Sequence, residues 1–141
     1  MENAISSKVC DLAGNDKHYG FNVVREESRE VYVFEAATDA MSYMDIFQDY
    51  ENNLLALGMV SAAPLGTFLS ENPQIESIKF CLDSDEAGRK ATEKLMEKYY
   101  VRGYDVEDKA PPKMYKDYNE WLKEAKKQQI RLPEGQIAQC R

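Results

Sequence analysis

Histidine is almost missing: the 141 residues include one, His18. That excludes any site needing two imidazoles. Cysteine is scarce as well. Cys10, Cys81 and Cys140 lie far apart and show no C-x-x-C spacing, which argues against a disulfide framework or a zinc site. It fits a reducing cytosol, so the expected location is cytoplasmic. No apolar run approaches the length of a transmembrane helix, and Met1-Glu2-Asn3-Ala4 is not a secretory signal, so no membrane partner is expected. Positive charge is the next shortage. Eighteen Lys and Arg face 25 Asp and Glu, a net charge of −7. A free-standing nucleic-acid binder usually carries the opposite sign. Either the acids collect around a metal, or any grip on nucleic acid lies in another domain or protein. A solvated acidic surface without special meaning is the third reading. Internal repeats and low-complexity segments are also lacking.

What remains is enough for a core: 43% of residues are hydrophobic, with nine Tyr and five Phe, and one domain is expected at this length. Residues 1 to 17 are mostly polar and read as a frayed arm with a turn at Asn15-Asp16. Tyr19 to Val24 alternates loosely as a strand. After the charged turn Glu26 to Glu30, Val31 to Phe34 is a compact β-branched and aromatic run suited to a central strand. The two are placed to pair as a hairpin. A helix is expected from near Thr38 or Asp39, with Ala40, Met41, Met44 and Phe47 near one face, ending at Glu51-Asn52-Asn53.

Leu54 to Leu57 is a second buried strand, closed by Gly58. Pro64 suits the first turn of a short helix reaching Glu71, and Asn72-Pro73 breaks it. Ile75 to Leu82 is a third core strand. Asp85 to about Tyr100 is the clearest helix, with Ala87, Ala91, Leu95 and Tyr99 as an i, i+4 core ladder and Gly103 as its stop. Tyr104 to Val106 is a weak last strand, Pro111-Pro112 a loop, and Asp117 to about Gln129 a final helix with Trp121, Leu122 and Ala125 inward. Alternating strands and helices imply βαβ units with right-handed crossovers. The expected fold class is α/β: a small, mainly parallel four-stranded sheet flanked by helices, with a hairpin-like N-terminal extension. The divisions are 1–30 for the extension with its one strand, 31–130 for the domain and 131–141 for a mobile tail.

The chemistry gathers at two strand ends. Asp83 and Asp85, spaced i, i+2, close one buried strand, and Glu35 closes another. In open α/β sheets ligands bind at the carboxyl ends of the strands, and parallel strands place these ends on one edge. Close carboxylates repel unless a cation or proton intervenes. A hard oxygen site suits Mg²⁺ or Mn²⁺. The plainer reading of Asp83 to Asp85 is a turn that caps the following helix.

Around these, Asp39 is either a supporting acid one turn beyond Glu35 or a first-turn acid favoured by the helix dipole. Glu86 approaches a metal or simply complements the dipole. Arg89 and Lys90 meet phosphate or line a solvated helix face. Asp117 and Asn119 cap the last helix or support the site from its rim. Gly88 is expected to permit close helix–sheet packing. Lys17 reads as a surface lysine, His18 as structural and Trp121 as core.

The order of Glu35 after an early strand, then Asp83-Ser84-Asp85-Glu86-Ala87-Gly88-Arg89-Lys90-Ala91 after a later one, resembles the Toprim domain over roughly residues 31 to 125. The D-x-D stretch and Lys116-Asp117-Tyr118-Asn119-Glu120-Trp121-Leu122 look most like its primase branch. Gly14-Asn15-Asp16-Lys17-His18-Tyr19-Gly20-Phe21, with Val33-Phe34-Glu35 and Asp39 to Tyr43, is similar to Toprim proteins of bacterial mobile elements. Many Toprim domains place Gly after the first Glu; Ala36 stands here.

The resemblance implies an enzyme, weak as an isolated domain, for Mg²⁺-dependent phosphoryl or nucleotidyl transfer on DNA or RNA in replication or mobile-element transfer. It implies Glu35 as general acid/base and Asp83 and Asp85 as metal holders; the expected metal ligands are Glu35, Asp83 and Asp85, and Asp39, Glu86, Arg89 and Asp117 are the candidates for supporting the site or meeting phosphate. A metal-dependent nuclease on the same carboxylates is the second reading. A non-catalytic nucleic-acid or protein-binding module of a replication or mobilisation complex is the third. The zinc-binding and template-binding parts of bacterial primases are not visible here, so help from another domain, a helicase or a relaxase is expected. The tyrosine and ATPase parts of a type II topoisomerase are not visible either.

Overall fold

The computed structural model describes residues 21–58 and 63–131. Several expectations therefore lie outside the described residues: the N-terminal arm, the stretch Gly14 to Gly20 with Lys17 and His18, Cys10, Cys140 and the tail from Leu132. Five strands and four helices follow in the order β1 (Asn22–Val23), β2 (Glu30–Phe34), α1 (Ala37–Phe47), β3 (Asn53–Ala56), α2 (Ala63–Glu71), β4 (Ser77–Phe80), α3 (Glu86–Val101), β5 (Asp105–Asp108) and α4 (Tyr118–Arg131).

The sheet runs β1-β3-β2-β4-β5. Four strands are parallel, with Val33 opposite Leu55 on one side and Phe80 on the other. The fifth corrects the hairpin expectation. β1 lies antiparallel to β3, Asn22 opposite Leu55, not beside β2. Both edges of β2 are already filled by β3 and β4, so the short strand takes the free edge of β3.

Alternation along the strands builds two cores, because successive side chains leave a strand on opposite faces. Val31, Val33, Leu55, Ile78, Phe80 and Leu82 face α2 and α3, where Leu65, Phe68, Leu95 and Tyr99 cover them. Tyr32, Phe34, Leu54 and Cys81 face α1 and α4, against Ala40, Tyr43 and Tyr118. Lys79 escapes the pattern by pairing with Glu107 at 3.0 Å. β5 closes the sheet with Asp105, Glu107 and Asp108 exposed.

Two helix faces differ from the periodic expectation. On α1 the buried set is Asp39, Ala40, Ser42 and Tyr43, while Met41 and Phe47 are about half exposed, 47% and 49%. Tyr43 wins because its ring packs on Tyr32 and Phe34, with centroids 5.1 and 5.4 Å away. On α3 the buried set is Gly88, Thr92, Leu95 and Tyr99. Ala87 is exposed and Ala91 half-buried. The cause is Gly88: a Cβ there would overlap the Asp83 carbonyl oxygen. The helix can approach the strand end this closely only along a face that presents glycine, and Thr92 hides its hydroxyl on the Gly88 carbonyl at 2.8 Å.

The chain passes from β2 to β3 on one side, then crosses back to β4 on the other. The carboxyl ends of β2 and β4 flank the point where strand order reverses, which is where open α/β sheets form their ligand crevice.

Candidate metal centre

Glu35 follows β2, and Asp83 follows β4 by three residues. The two strands are parallel neighbours, so both carboxylates reach one cleft of about 520 Å³. Asp39, one turn into α1, and Asp117, just before α4, line the same cleft. Carboxylate oxygens of Asp39, Asp83 and Asp117 all lie within 4.8 Å of one another. A Mg²⁺ ion with oxygen ligands at about 2.1 Å spans roughly 4 Å between opposite ligands. Small side-chain rotations would therefore close this trio on an ion.

The three acids come from three separate segments, and polar contacts at the periphery hold those segments together. Asp39 Oδ1 accepts from the Asn119 amide at 3.2 Å. Asn119 Oδ1 accepts from Ser42 Oγ at 3.2 Å, tying α4 to α1. Ser84, the middle residue of D-x-D, holds the loop that carries Asp117. Its amide donates to the Lys116 carbonyl at 2.7 Å, and its hydroxyl donates to the Tyr115 carbonyl at 2.5 Å. This hook was missed in the sequence; a small hydroxyl residue between two aspartates was its only trace.

Asp83 is the most exacting member. It is 8% exposed and has no hydrogen-bond partner among the described residues. Burial pushes its carboxyl up to about 7, reinforced by the charges of Glu35, Asp39, Asp117 and Asp85. Burial also pushes Asp39 up to about 6, helped by Asp117 and Glu35 and opposed by the Asn119 amide. Groups that interact this strongly titrate as a set. Near neutral pH the cleft gathers more negative charge than its own donors offset. That donor set, all carboxylate oxygen, suits a hard divalent cation.

The other sequence-selected residues sit as follows. Asp85 N-caps α3, its Oδ1 accepting from the Gly88 amide at 2.8 Å, and adds its charge to the field at Asp83. Glu86 is exposed and lies 3.7 Å from Lys90. Arg89 turns to β5, where its two terminal nitrogens donate to Asp108 at 2.6 and 2.9 Å. Asp117 also accepts from the Glu120 amide at 2.8 Å, so it both caps α4 and faces the cleft. Trp121 is half-buried against the aromatic core.

The model of the family described as Toprim-like matches residues 32–122. Among solved structures, the fold is similar to the crystal structure of the Aquifex aeolicus primase, zinc-binding and RNA polymerase domains, with 25% identity and a TM-score of 0.54. That match covers 75% of this chain and 25% of the primase chain. No curated protein matches the chain. No helix among the described residues is long and apolar enough to cross a membrane.

Proposed function

The chain belongs to the Toprim-like family, and from that premise we propose that its carboxylate cleft binds Mg²⁺ or Mn²⁺ and performs primase-like nucleotidyl transfer on nucleic acid. The observation that carries the reading is Asp83: a residue 8% exposed that lines the cleft, its carboxylate without a hydrogen-bond donor among the described residues and raised to about 7 by burial and four neighbouring acids. A buried acid left this way costs stability. A bound cation would offset that cost.

Asp39, Asp83 and Asp117 would hold the ion. When bound, it supplies charge neutralisation to phosphoryl oxygens, the main requirement of phosphoryl transfer. Glu35, beside this trio, serves as the group that moves a proton at the reacting hydroxyl. Asp85 fixes the first turn of α3 and adds negative field. With a net charge of −7, the strand's phosphates need positive charge from another domain or partner, since phosphate contacts carry most non-specific affinity.

Two measurements test this. Calorimetric Mn²⁺ titration should show Asp83→Asn binding at least about tenfold more weakly than wild type, a loss of about 1.4 kcal/mol. Equal binding would remove the assignment. For the reaction, the protein would be assayed with any partner domains for primer synthesis on a single-stranded template and for cleavage of labelled strands without nucleotides. Primer synthesis abolished by Glu35→Gln is the expected result. Cleavage alone would establish the nuclease instead, and identical behaviour of wild type and Glu35→Gln in both assays would leave a binding module.

A further inference from the structure

β5 ends at Asp108, level with Phe80 at the end of β4. Asp108 is not among the residues that line the cleft, yet two of the three segments that bring aspartates there are tied to it. On one side Asp108 accepts two hydrogen bonds from Arg89, at 2.6 Å to Oδ2 and 2.9 Å to Oδ1. Arg89 Nη2 also donates to Thr92 Oγ1 at 3.3 Å, and the Thr92 hydroxyl donates to the Gly88 carbonyl at 2.8 Å. Gly88 is the residue pressed against the Asp83 backbone. A hydrogen-bonded line therefore runs from the end of β5 to the turn of α3 on which Asp83 is set.

On the other side Asp108 Oδ1 accepts from the Ala110 amide at 3.2 Å. The Lys109 amide donates to the Phe80 carbonyl at 2.7 Å, and Tyr118 Oη donates to the Lys109 carbonyl at 2.6 Å. These bonds fix the start of the loop that continues through Lys116 to Asp117; Ser84 fixes its end. One carboxylate thus holds both α3 beside Asp83 and the loop that carries Asp117. The Arg89–Asp108 pair is more than a third exposed on each side, and such a pair adds little stability by itself. Its contribution is geometric: a guanidinium meets a carboxylate through two parallel bonds, which fix direction as well as distance. Arg89 Nε is buried with no acceptor among the described residues, so the side chain is placed by its fork and not by satisfying every donor.

We propose that Arg89 and Asp108 are positioning residues for the carboxylate cleft: their fork sets Asp83 against Asp117 by holding α3 and the Lys109–Lys116 loop to the end of β5. The assignment rests on the metal-binding reading of the cleft and adds a pair outside it on which the spacing of its acids depends. Carboxylate oxygens of Asp83 and Asp117 lie within 4.8 Å of one another, and oxygen ligands at about 2.1 Å from an ion tolerate little displacement. Lysine at position 89 would keep the charge but lose the fork. Asparagine at position 108 would keep an acceptor for the Ala110 amide and lose the charge. Alanine there would release both the helix and the loop.

Calorimetric Mn²⁺ titration and amide hydrogen exchange on the full chain would compare wild type with Arg89→Lys, Asp108→Asn and Asp108→Ala. Asp108→Ala should weaken Mn²⁺ binding about tenfold, and each of the other two about threefold, as expected for groups that support metal ligands from outside. In metal-free protein the Gly88 amide should exchange faster in all three variants, and the Ser84 amide most in Asp108→Ala. The control is Arg29→Ala, which breaks an exposed pair with Glu76 at 2.9 Å at the amino edge of the sheet. It should leave Mn²⁺ affinity and both amides unchanged. Wild-type Mn²⁺ affinity in Asp108→Ala overturns the proposal, as does an equal loss in Arg29→Ala. A wild-type chain that binds no Mn²⁺ removes the metal reading instead; the clasp then stands if Gly88 and Ser84 exchange faster in Asp108→Ala, and falls if they do not.

Discussion

At the scale of single residues, Asp83 and Gly88 are bound to one another. The helix approaches so closely that Gly88 has no room for a methyl group against the Asp83 carbonyl. Gly88→Ala should force the two apart and cost about 2 kcal/mol or more in denaturant unfolding, in the range of overpacked buried sites. It should also lower Mn²⁺ affinity, because the displaced segment carries Asp83. Asp83→Asn should act in the opposite sense on stability. It removes a buried charge that nothing in the metal-free cleft balances, so metal-free protein at pH 8 should melt at a higher temperature than wild type while losing its metal. Such a trade between stability and function is common at sites built for a ligand. A melting temperature lower than wild type would contradict it.

Elements bring the acids together, and Ser84 is the joint between two of them. Its paired donors hold the Tyr115–Lys116 carbonyls and so set Asp117 against Asp83. Ser84→Ala removes the hydroxyl donor but keeps the amide. Mn²⁺ affinity should fall a few-fold, with a stability loss near 1 kcal/mol; unchanged affinity would mean the loop holds itself.

This level also shows where the sequence is legible. Val31 to Phe34 and Ile78 to Leu82 announce buried parallel strands, and the placing of Glu35 and Asp83 at adjacent strand ends follows from alternation of strands with helices. The face of α3 does not follow. Periodicity groups Ala87 with Ala91, but which of two adjacent faces meets the sheet depends on the contact of Gly88 with a backbone carbonyl from another element. The partner of β1 is equally hidden. Nearness in sequence favours β2, and only the full strand order shows both of its edges taken. The meeting of Asp39 and Asp117 with Asp83 is a matter of tertiary packing through Asn119, which no local spacing encodes.

For the molecule as a whole, the raised acids govern how stability responds to pH. Asp39 and Asp83 hold their protons more tightly when folded, near 6 and 7, than in the unfolded chain, near 4. Between about pH 4 and pH 7 the folded state therefore binds more protons, and stability falls as pH rises through that window. Without divalent ions the loss from pH 5 to pH 8 should exceed about 1 kcal/mol. Millimolar Mg²⁺ should recover much of it at pH 8 and little at pH 5, where the acids are largely protonated; binding to the folded state alone stabilises by mass action. A thermal-melt series in pH with and without Mg²⁺ checks both signs, and a melting temperature that rises from pH 5 to pH 8 without metal would refute the charge assignment.

The outer strand β5 has a separate consequence. Its exposed Asp105, Glu107 and Asp108 line the edge of the sheet with charged groups, Glu107 paired with Lys79 and Asp108 with Arg89. Charged rims repel a second strand that would otherwise zip onto unpaired backbone groups. Hydrogen bonds from Lys79 and Arg89 hold the Glu107 and Asp108 carboxyls below the usual range, so the edge keeps its charge into strong acid; only there should self-association begin at β5, and substituting lysine for Asp105 should delay the onset of turbidity.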